Sequence, residues 1–532
     1  MILNKWTRGI MSKGNRLSVL FNKNMIILYL ILLAAFLVRI IGLDWNLPHS
    51  MFAPYELDEY STVKIALQVL RDRNFSPGSF LWPSLYFYIQ AFAYGNYCFW
   101  ALLMGFLQSL NDLTIREVYL VGRMTTVLFG VANILLVYLI GKRMYSKKVG
   151  LIASLFLSFS LLHVKYSRLI RPDIPMAFFI TLSFFFIYLI YERGKTKDYL
   201  LATLFAGFSI ATKYTGVFLI VPIFLAHLFY GLKEKKKLFS IFFDKKVLLV
   251  IIFIAVGFFI AFPYALVRYR YLFVTIGNWL RGLNKITANQ PGEINSWVYY
   301  ITYSLNHSLG YALAIFSLIG IIYGIFTHRK KDILLLSFPL LYYFIMGSFS
   351  RHGDRYFLPI VPFLTIIAAM FLVKVISRIS FSQSKRNLTL AIIAFILIFL
   401  PGVEVVRYAK LMTEKGTRIE AKDWVKENIP PGKRIAYEYY FPHFSGYKME
   451  NMYVVGSHPF DWYKNKFDYI IINSGRYGRY FQTSLKQYQG IRRNYEEIET
   501  MCELVKQFDP SPSSPTNPNP VVKIYRIKYE YP

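Results

Sequence analysis

Thiols are scarce in this chain. Two cysteines, Cys98 and Cys502, stand among 532 residues, which excludes a disulfide framework and a Cys-rich metal centre. The signatures of nucleotide and zinc-hydrolase chemistry are missing too. There is no GxxxxGK(S/T) stretch, no GxGxxG opening a helix and no HExxH. Acid is in short supply: 30 Asp and Glu face 61 Lys and Arg, a formal net charge of +31. On a soluble protein that excess points to nucleic acid. Here the cations sit mostly in short loops between apolar blocks, where they set membrane orientation, so nucleic acid is set aside as a partner.

What is present in abundance is hydrophobic residues, 55% of the chain. They come in blocks close to the length that crosses a bilayer. The blocks are 25–43, 124–141, 149–164, 174–191, 199–212, 216–230, 247–262, 305–326, 333–348, 357–375 and 388–406. They predict an all-α polytopic membrane bundle of about eleven spanning helices. The first block is too long for a signal-peptide core and is read as a retained helix. With the basic segment 1–24 in the cytoplasm, loops 142–148, 192–198, 231–246, 327–332 and 377–386 fall inside, each rich in Lys and Arg. A single crossing by the aromatic stretch 83–110 would put all of them outside. That stretch is therefore expected as helices at the outer interface, within a first extracytoplasmic loop spanning 44–123.

The membrane domain is expected over 25–408. Beyond it the pattern changes to short alternating segments. Strands are expected at 433–440, 451–455, 467–473 and 521–529, with a helix at 419–428 stopped by Pro430-Pro431-Gly432 and a Pro/Ser-rich loop at 509–520. They predict a small α/β domain, 409–532, on the extracytoplasmic side of a plasma or inner membrane.

This topology collects charge on the outer face. The first outer segment holds Tyr55-Glu56-Leu57-Asp58-Glu59-Tyr60, and the next holds Lys165, Arg168, Arg171 and Asp173. Lys213 sits in a tight turn. Arg268, Arg270, Arg281, Lys285 and Glu293 follow in 263–303, and Arg351-His352-Gly353-Asp354-Arg355-Tyr356 closes the set. Ionisable groups at membrane depth tend to be paired or functional. A carboxylate among cations suits a reaction in which the cations hold a lipid phosphate and the carboxylate takes a proton from an attacking hydroxyl. Bland alternatives stay open at each position. Asp173 is also placed to cap the helix starting at Ile174, Lys213 to snorkel, His352 to be structural, and Arg39 to snorkel or pair with an acid.

The order of motifs resembles a known family. It runs through Leu57-Asp58-Glu59-Tyr60, Leu81-Trp82-Pro83-Ser84, Gly122-Arg123, Arg168-Leu169-Ile170-Arg171-Pro172-Asp173, Ala211-Thr212-Lys213-Tyr214-Thr215-Gly216 and Asp354-Arg355-Tyr356-Phe357-Leu358-Pro359. This is similar to the GT-C-fold, family 39 glycosyltransferases of the protein-mannosyltransferase and aminoarabinose-transferase type. The resemblance implies a polyprenyl-phosphate sugar donor, an outer-face site and inversion at the anomeric carbon. It places the catalytic base at Asp58, with Glu59 beside it, and makes Asp173 a second acid and Arg123 a support, with Tyr356 alongside. The aminoarabinose pattern has a Lys before a Pro pair, and this chain has none. Phosphate binding is accordingly assigned to Lys213 and Arg355, with Arg351 and Arg168 in reserve. No cofactor is required and no divalent metal is indicated. The acceptor is a protein, glycolipid or polysaccharide. The rival readings are en bloc oligosaccharide transfer or polymerisation, and a non-catalytic transporter of lipid-linked glycans.

Overall fold

The structure is a computed structural model, described for residues 23–47, 57–285, 294–510 and 518–528. Tyr55, Glu56 and Glu293 lie outside the described residues, as do most of the N-terminal segment, most of the loop 509–520 and the last residue of the strand expected at 521–529.

Each apolar block folds as helix. The principal helices are α1 (Lys23–Ile40), α2 (Leu57–Asp72), α3 (Leu85–Leu103), α4 (Ile115–Met144), α5 (Lys147–Ser158), α6 (Leu161–Ser167), α7 (Asp173–Arg193), α8 (Thr196–Thr212), α9 (Ile220–Lys233), α10 (Lys245–Ala261), α11 (Tyr269–Leu283), α12 (Tyr311–Phe326), α13 (Lys330–Gly347), α14 (Val361–Ser377) and α15 (Gln383–Leu411). Among the described residues, five helical segments are long and apolar enough to cross a membrane, and a sixth if α5 and α6, bent by 64°, make one span. The chain is a multi-pass membrane protein. α7 and the segment through α14 are central, each with 72% of its apolar window buried, against 33% for α15. α15 turns Ile392, Phe395 and Phe399 outward, as a lipid-facing helix does. Small residues let backbones close up: a Cβ on Gly207 of α8 would come within 2.5 Å of the Ile254 carbonyl on α10.

The basic loops gather at one end of the bundle. Arg143 pairs with Glu192 at 2.6 Å, and Lys233 Nζ donates to the Glu192 carbonyl at 3.0 Å. Lys246 Nζ donates to the Gly194 carbonyl at 2.6 Å, Lys331 Nζ to the Met144 carbonyl at 2.9 Å, and Tyr145 to Asp332 at 2.6 Å. Four of the five loops expected on one side thus touch one another. α2 and α3 form a separate apolar cluster with the start of α4 through Val63, Leu67, Tyr94, Cys98 and Val118.

After α15 the chain enters the α/β domain. α16 (Thr417–Asn428) and α17 (Gln489–Met501) flank five strands, β1 (Arg434–Glu438), β2 (Lys448–Met452), β3 (Tyr469–Asn473), β4 (Cys502–Phe508) and β5 (Val522–Ile527). The spatial order is β2-β1-β3-β5-β4. β1 runs parallel to β2 and β3, and β5 antiparallel to β3 and β4. Period-two alternation covers both faces. Ile435, Tyr437, Ile471 and Ile524 pack with Ala421 and Val425 of α16. Ala436, Ile470, Ile472 and Tyr525 pack with Tyr495 and Ile498 of α17.

Two sequence expectations shift here. The second strand lies at Lys448–Met452 rather than 451–455, because an edge strand with mostly exposed side chains is fixed by backbone pairing and leaves little hydrophobic pattern. β4 and α17 were not anticipated. α17 carries its signal in Ile491, Tyr495 and Ile498, one helical face, whereas β4 is an edge strand whose register slips between Leu504 and Lys506.

Candidate active site

Asp58 and Glu59 open α2. Neighbours on a helix point about 100° apart, so one carboxylate turns inward and the other does not. Glu59 is the inward one. It is buried, with Arg123 Nε at 3.0 Å from Oε1 and Nη2 at 2.8 Å from Oε2, and the Ile170 amide donates to Oε1 at 2.9 Å. Arg123 Nη1 also donates to the Leu43 and Trp45 carbonyls, both at 2.8 Å. Glu59 and Arg123 therefore tie together the segment after α1, the start of α2 and the loop before α7. Glu59, expected as an acid beside the base, instead has its carboxylate closed off by this clamp.

Asp58, 30% exposed at its side chain, faces a different set. Its Oδ2 lies 2.5 Å from Arg171 Nη2 and 3.2 Å from Arg355 Nη1. Arg171 Nε in turn reaches Asp173 Oδ2 at 3.3 Å, and Lys213 Nζ donates to Asp173 Oδ1 at 2.7 Å. Tyr356 completes the ring of groups, with Lys213 and Arg355 5.2 and 5.3 Å from its ring centre. Three cations and two carboxylates share this cluster, an excess of one positive charge. Asp173 is sealed, with 2% of its side chain exposed, so Asp58 is the carboxylate of the two that a substrate can reach.

The structure decides several open alternatives. Asp173 is the first residue of α7 and caps nothing: Pro172 holds the cap position without a side-chain bond. Lys213 does not snorkel; it is buried against Asp173. Arg39 does not snorkel, and among the described residues it meets no acid. It is fully buried and donates to the Ala35 and Ser158 carbonyls at 2.8 and 3.2 Å, with His163 Nδ1 at 3.0 Å. Arg168 points away from the cluster, donating to the Ile41 carbonyl and lying 5.6 Å over the Tyr408 ring. Arg351 stays within electrostatic reach of Tyr356, with its amide bonded to the Leu283 carbonyl at 2.8 Å. His352 packs on Tyr299 and meets Ser296 Oγ at 3.2 Å. Arg268, Arg270, Arg281 and Lys285 are exposed.

Two features were not assigned from the sequence. Arg171 joins the two aspartates, and its position two residues before Asp173 was the available signal. Asp354 turns away from its neighbour Arg355, toward His307 Nδ1 at 2.9 Å and Ser304 Oγ at 3.0 Å.

Next to Lys213 an apolar cavity of about 610 Å³ opens. Tyr214 and Thr215, which follow Lys213 directly, line it together with Phe218, Ile254, Leu272 and Trp279. The Tyr214 hydroxyl is tied back to the Phe80 carbonyl at 2.7 Å, which leaves the ring to the cavity wall. The geometry offers an accessible carboxylate, fixed cations and an adjoining greasy cavity.

Comparison with known proteins fits this architecture. Residues 100–262, the stretch that supplies Arg123, Arg171, Asp173 and Lys213, match the family model of dolichyl-phosphate-mannose-protein mannosyltransferases. An uncharacterized protein of Aquifex aeolicus (strain VF5) is 28% identical over 312 residues, 57% of this chain and 58% of that relative's length. The oligosaccharyltransferase of Archaeoglobus fulgidus in its apo form superposes with a TM-score of 0.55 at 14% identity, over 86% of this chain and 71% of that one. The same organism's AglB, in complex with an inhibitory peptide and a dolichol-phosphate, gives 0.50 at 13% identity, again over 86% and 71%. At such identities the likeness is one of fold. The likeness to these structures gives this chain a GT-C-type fold, and within it residues 100–262 are similar to the mannosyltransferase family.

Proposed function

We propose that the protein is an inverting glycosyltransferase that moves a sugar from a polyprenyl-phosphate donor to an acceptor hydroxyl at the extracytoplasmic face of the membrane. The observation that carries this reading is the Asp58 cluster: an accessible carboxylate held against Arg171 and Arg355, with Lys213 behind it. The cavity beside Lys213 suits isoprenoid units.

The donor phosphate enters where Arg355 and Lys213 meet and draws Arg355 from Asp58. The freed carboxylate accepts the proton of the acceptor hydroxyl. That oxygen bonds to the anomeric carbon from the face opposite the phosphate, the bond from carbon to phosphate oxygen breaks, and the lipid phosphate leaves. Fixed cations aimed at the developing charge are a large catalytic contribution, and a positioned base adds roughly 10²–10⁴-fold. A single displacement inverts the centre, with no covalent carboxylate intermediate. Asp173 keeps Lys213 and Arg171 in place.

The test is to incubate the purified protein with a panel of polyprenyl-phosphate sugars and a membrane extract and follow label transfer. Full activity in Asp58→Ala would remove the base from this scheme. Loss of activity with a chelator would move the reading toward en bloc oligosaccharide transfer.

A further inference from the structure

The segment between α10 and α12 carries cations that the transfer chemistry leaves unused. α10 starts at the basic end of the bundle, where Lys246 joins Gly194. Its 17 residues rise about 25 Å, so α11 begins at the opposite end. There Leu272 packs with Ala211, near the end of α8, and with Ala261, the last residue of α10. At the far terminus of α11 the Leu283 carbonyl accepts from the Arg351 amide at 2.8 Å, in the turn that follows α13. α11 therefore lies across the ends of three helices rather than alongside them.

Its side chains divide into three stripes, since neighbours on a helix point about 100° apart. Leu272, Ile276, Trp279 and Leu283 share the face turned to the bundle. Leu272 and Leu283 are buried, and Leu272, Ile276 and Trp279 line the apolar cavity. Beside them runs an exposed apolar stripe of Tyr269, Phe273 and Leu280, with Phe273 69% exposed. Beyond that runs a basic stripe. Arg270 and Arg281 stand eleven residues apart, close to three turns, and Lys285 follows one turn on. All three are exposed, as is Arg268 just before the helix.

The basic stripe is uncovered and lacks acids. Arg270 Nε donates to the Tyr269 hydroxyl at 3.3 Å. Arg281 donates from Nε to the Gly277 carbonyl at 3.4 Å and from Nη2 to Asn278 Oδ1 at 2.7 Å. These partners are neutral and belong to α11 itself. Among the described residues, neither arginine nor Lys285 pairs with a carboxylate. A Cβ on Gly277 would meet nothing within 4 Å, so the surface next to the stripe is open.

We infer that α11 is a docking surface for anionic phospholipids. A helix with an apolar stripe beside a Lys/Arg-rich one lies in the plane of the bilayer interface. Tyr269, Phe273 and Leu280 then enter the acyl region, and Arg270, Arg281 and Lys285 hold phosphodiester headgroups. Guanidinium groups suit that task because their paired donors match phosphate oxygens. Arg270 and Arg281 are about 16 Å apart along the helix, too far to share one phosphate, so the stripe meets a charged lipid surface rather than a single small anion. The assignment stands independently of sugar transfer.

The full chain is placed in phosphatidylcholine nanodiscs doped with a headgroup-diazirine analogue of either phosphatidylglycerol or phosphatidylcholine. After illumination the labelled peptides are mapped by mass spectrometry. The phosphatidylglycerol analogue labels 268–285 at least about fivefold more than the phosphatidylcholine analogue, the scale of one cation at an anionic surface. The triple variant Arg270→Gln/Arg281→Gln/Lys285→Gln loses that preference, with an unchanged melting temperature and an unchanged preference at the basic loop 231–246. Equal labelling of 268–285 by the two analogues overturns the assignment, and so does a preference that survives the triple variant. No labelling of 268–285 by either analogue puts α11 clear of the bilayer and overturns it as well. A loss in the triple variant that extends equally to 231–246 also overturns it, because the preference then belongs to the whole protein and not to α11.

Discussion

Asp58 and Glu59 are adjacent in the chain and belong to separate ion-pair networks. Glu59 closes on Arg123 at 2.8 and 3.0 Å, while Asp58 meets Arg171 at 2.5 Å and Arg355 at 3.2 Å. The first network fixes backbone, and the second presents charge to the outside. Asp354 and Arg355 divide in the same way, one toward His307 and the other toward Asp58.

Asp58→Asn keeps the shape of the side chain and removes the carboxylate proposed as the base. Transfer from a polyprenyl-phosphate sugar should fall by roughly 10²–10⁴-fold, with expression and melting temperature close to those of the parent, because Asp58 is partly exposed. A radiolabelled transfer assay beside a thermal melt checks both halves of the statement.

Removing one partner of the Glu59–Arg123 pair leaves a buried charge without its counterion. Glu59→Gln and Arg123→Gln should each destabilise by about 3–5 kcal/mol, seen as a lower melting temperature in detergent. The double variant should cost clearly less than the sum of the two. Additive losses would mean that the two side chains act independently.

Lys213→Gln should reduce transfer by roughly 10²-fold or more, on the scale of losing one donor to a developing charge. Free polyprenyl phosphate should also inhibit the variant less. Asp173→Asn should share that phenotype, since Asp173 holds Lys213 at 2.7 Å. An inhibition constant for the lipid phosphate unchanged from the parent would detach Lys213 from the phosphate.

The C-terminal domain should lose stability as pH rises. Burial pushes the Glu438 carboxyl up from 4.5 to about 7. The folded state therefore favours the protonated form. Its stabilising contribution is complete below about 4.5, falls as pH climbs through 7 and is flat above, spanning on the order of 3 kcal/mol at most. Glu438→Gln should flatten a plot of melting temperature against pH between 4.5 and 8. An unaltered slope would assign the effect to another group.

Cysteines introduced at Asp58 and Arg355 should react with a membrane-impermeant thiol reagent from the same compartment, and cysteines at Lys142 and Lys331 from the other. Labelling of the first two from opposite compartments would break the shared site on which the transfer scheme depends.

Much of this molecule was legible from its sequence because membrane helices announce themselves locally. Apolar blocks are set by residue type over twenty positions, and Lys and Arg mark one set of loops. That was enough to anticipate helices at every block, to expect five basic loops on one side, four of which touch one another, and to expect Asp58, Asp173, Lys213 and Arg355 in one place. Both faces of the small sheet followed from alternation in β1, β3 and β5. Edge strands β2 and β4 did not, since exposed pairing leaves little pattern. What tertiary structure alone decided was the partner of each charge. Asp58 meets Arg355 across 297 residues, Glu59 meets Arg123 across 64, and Lys213 meets Asp173 across 40. A sequence shows that a charge is buried and must be neutralised. Which opposite charge neutralises it depends on helix rotation and packing, and those settled that Glu59 would brace the fold, that Asp58 would stay partly exposed, and that Arg171 would join the two aspartates.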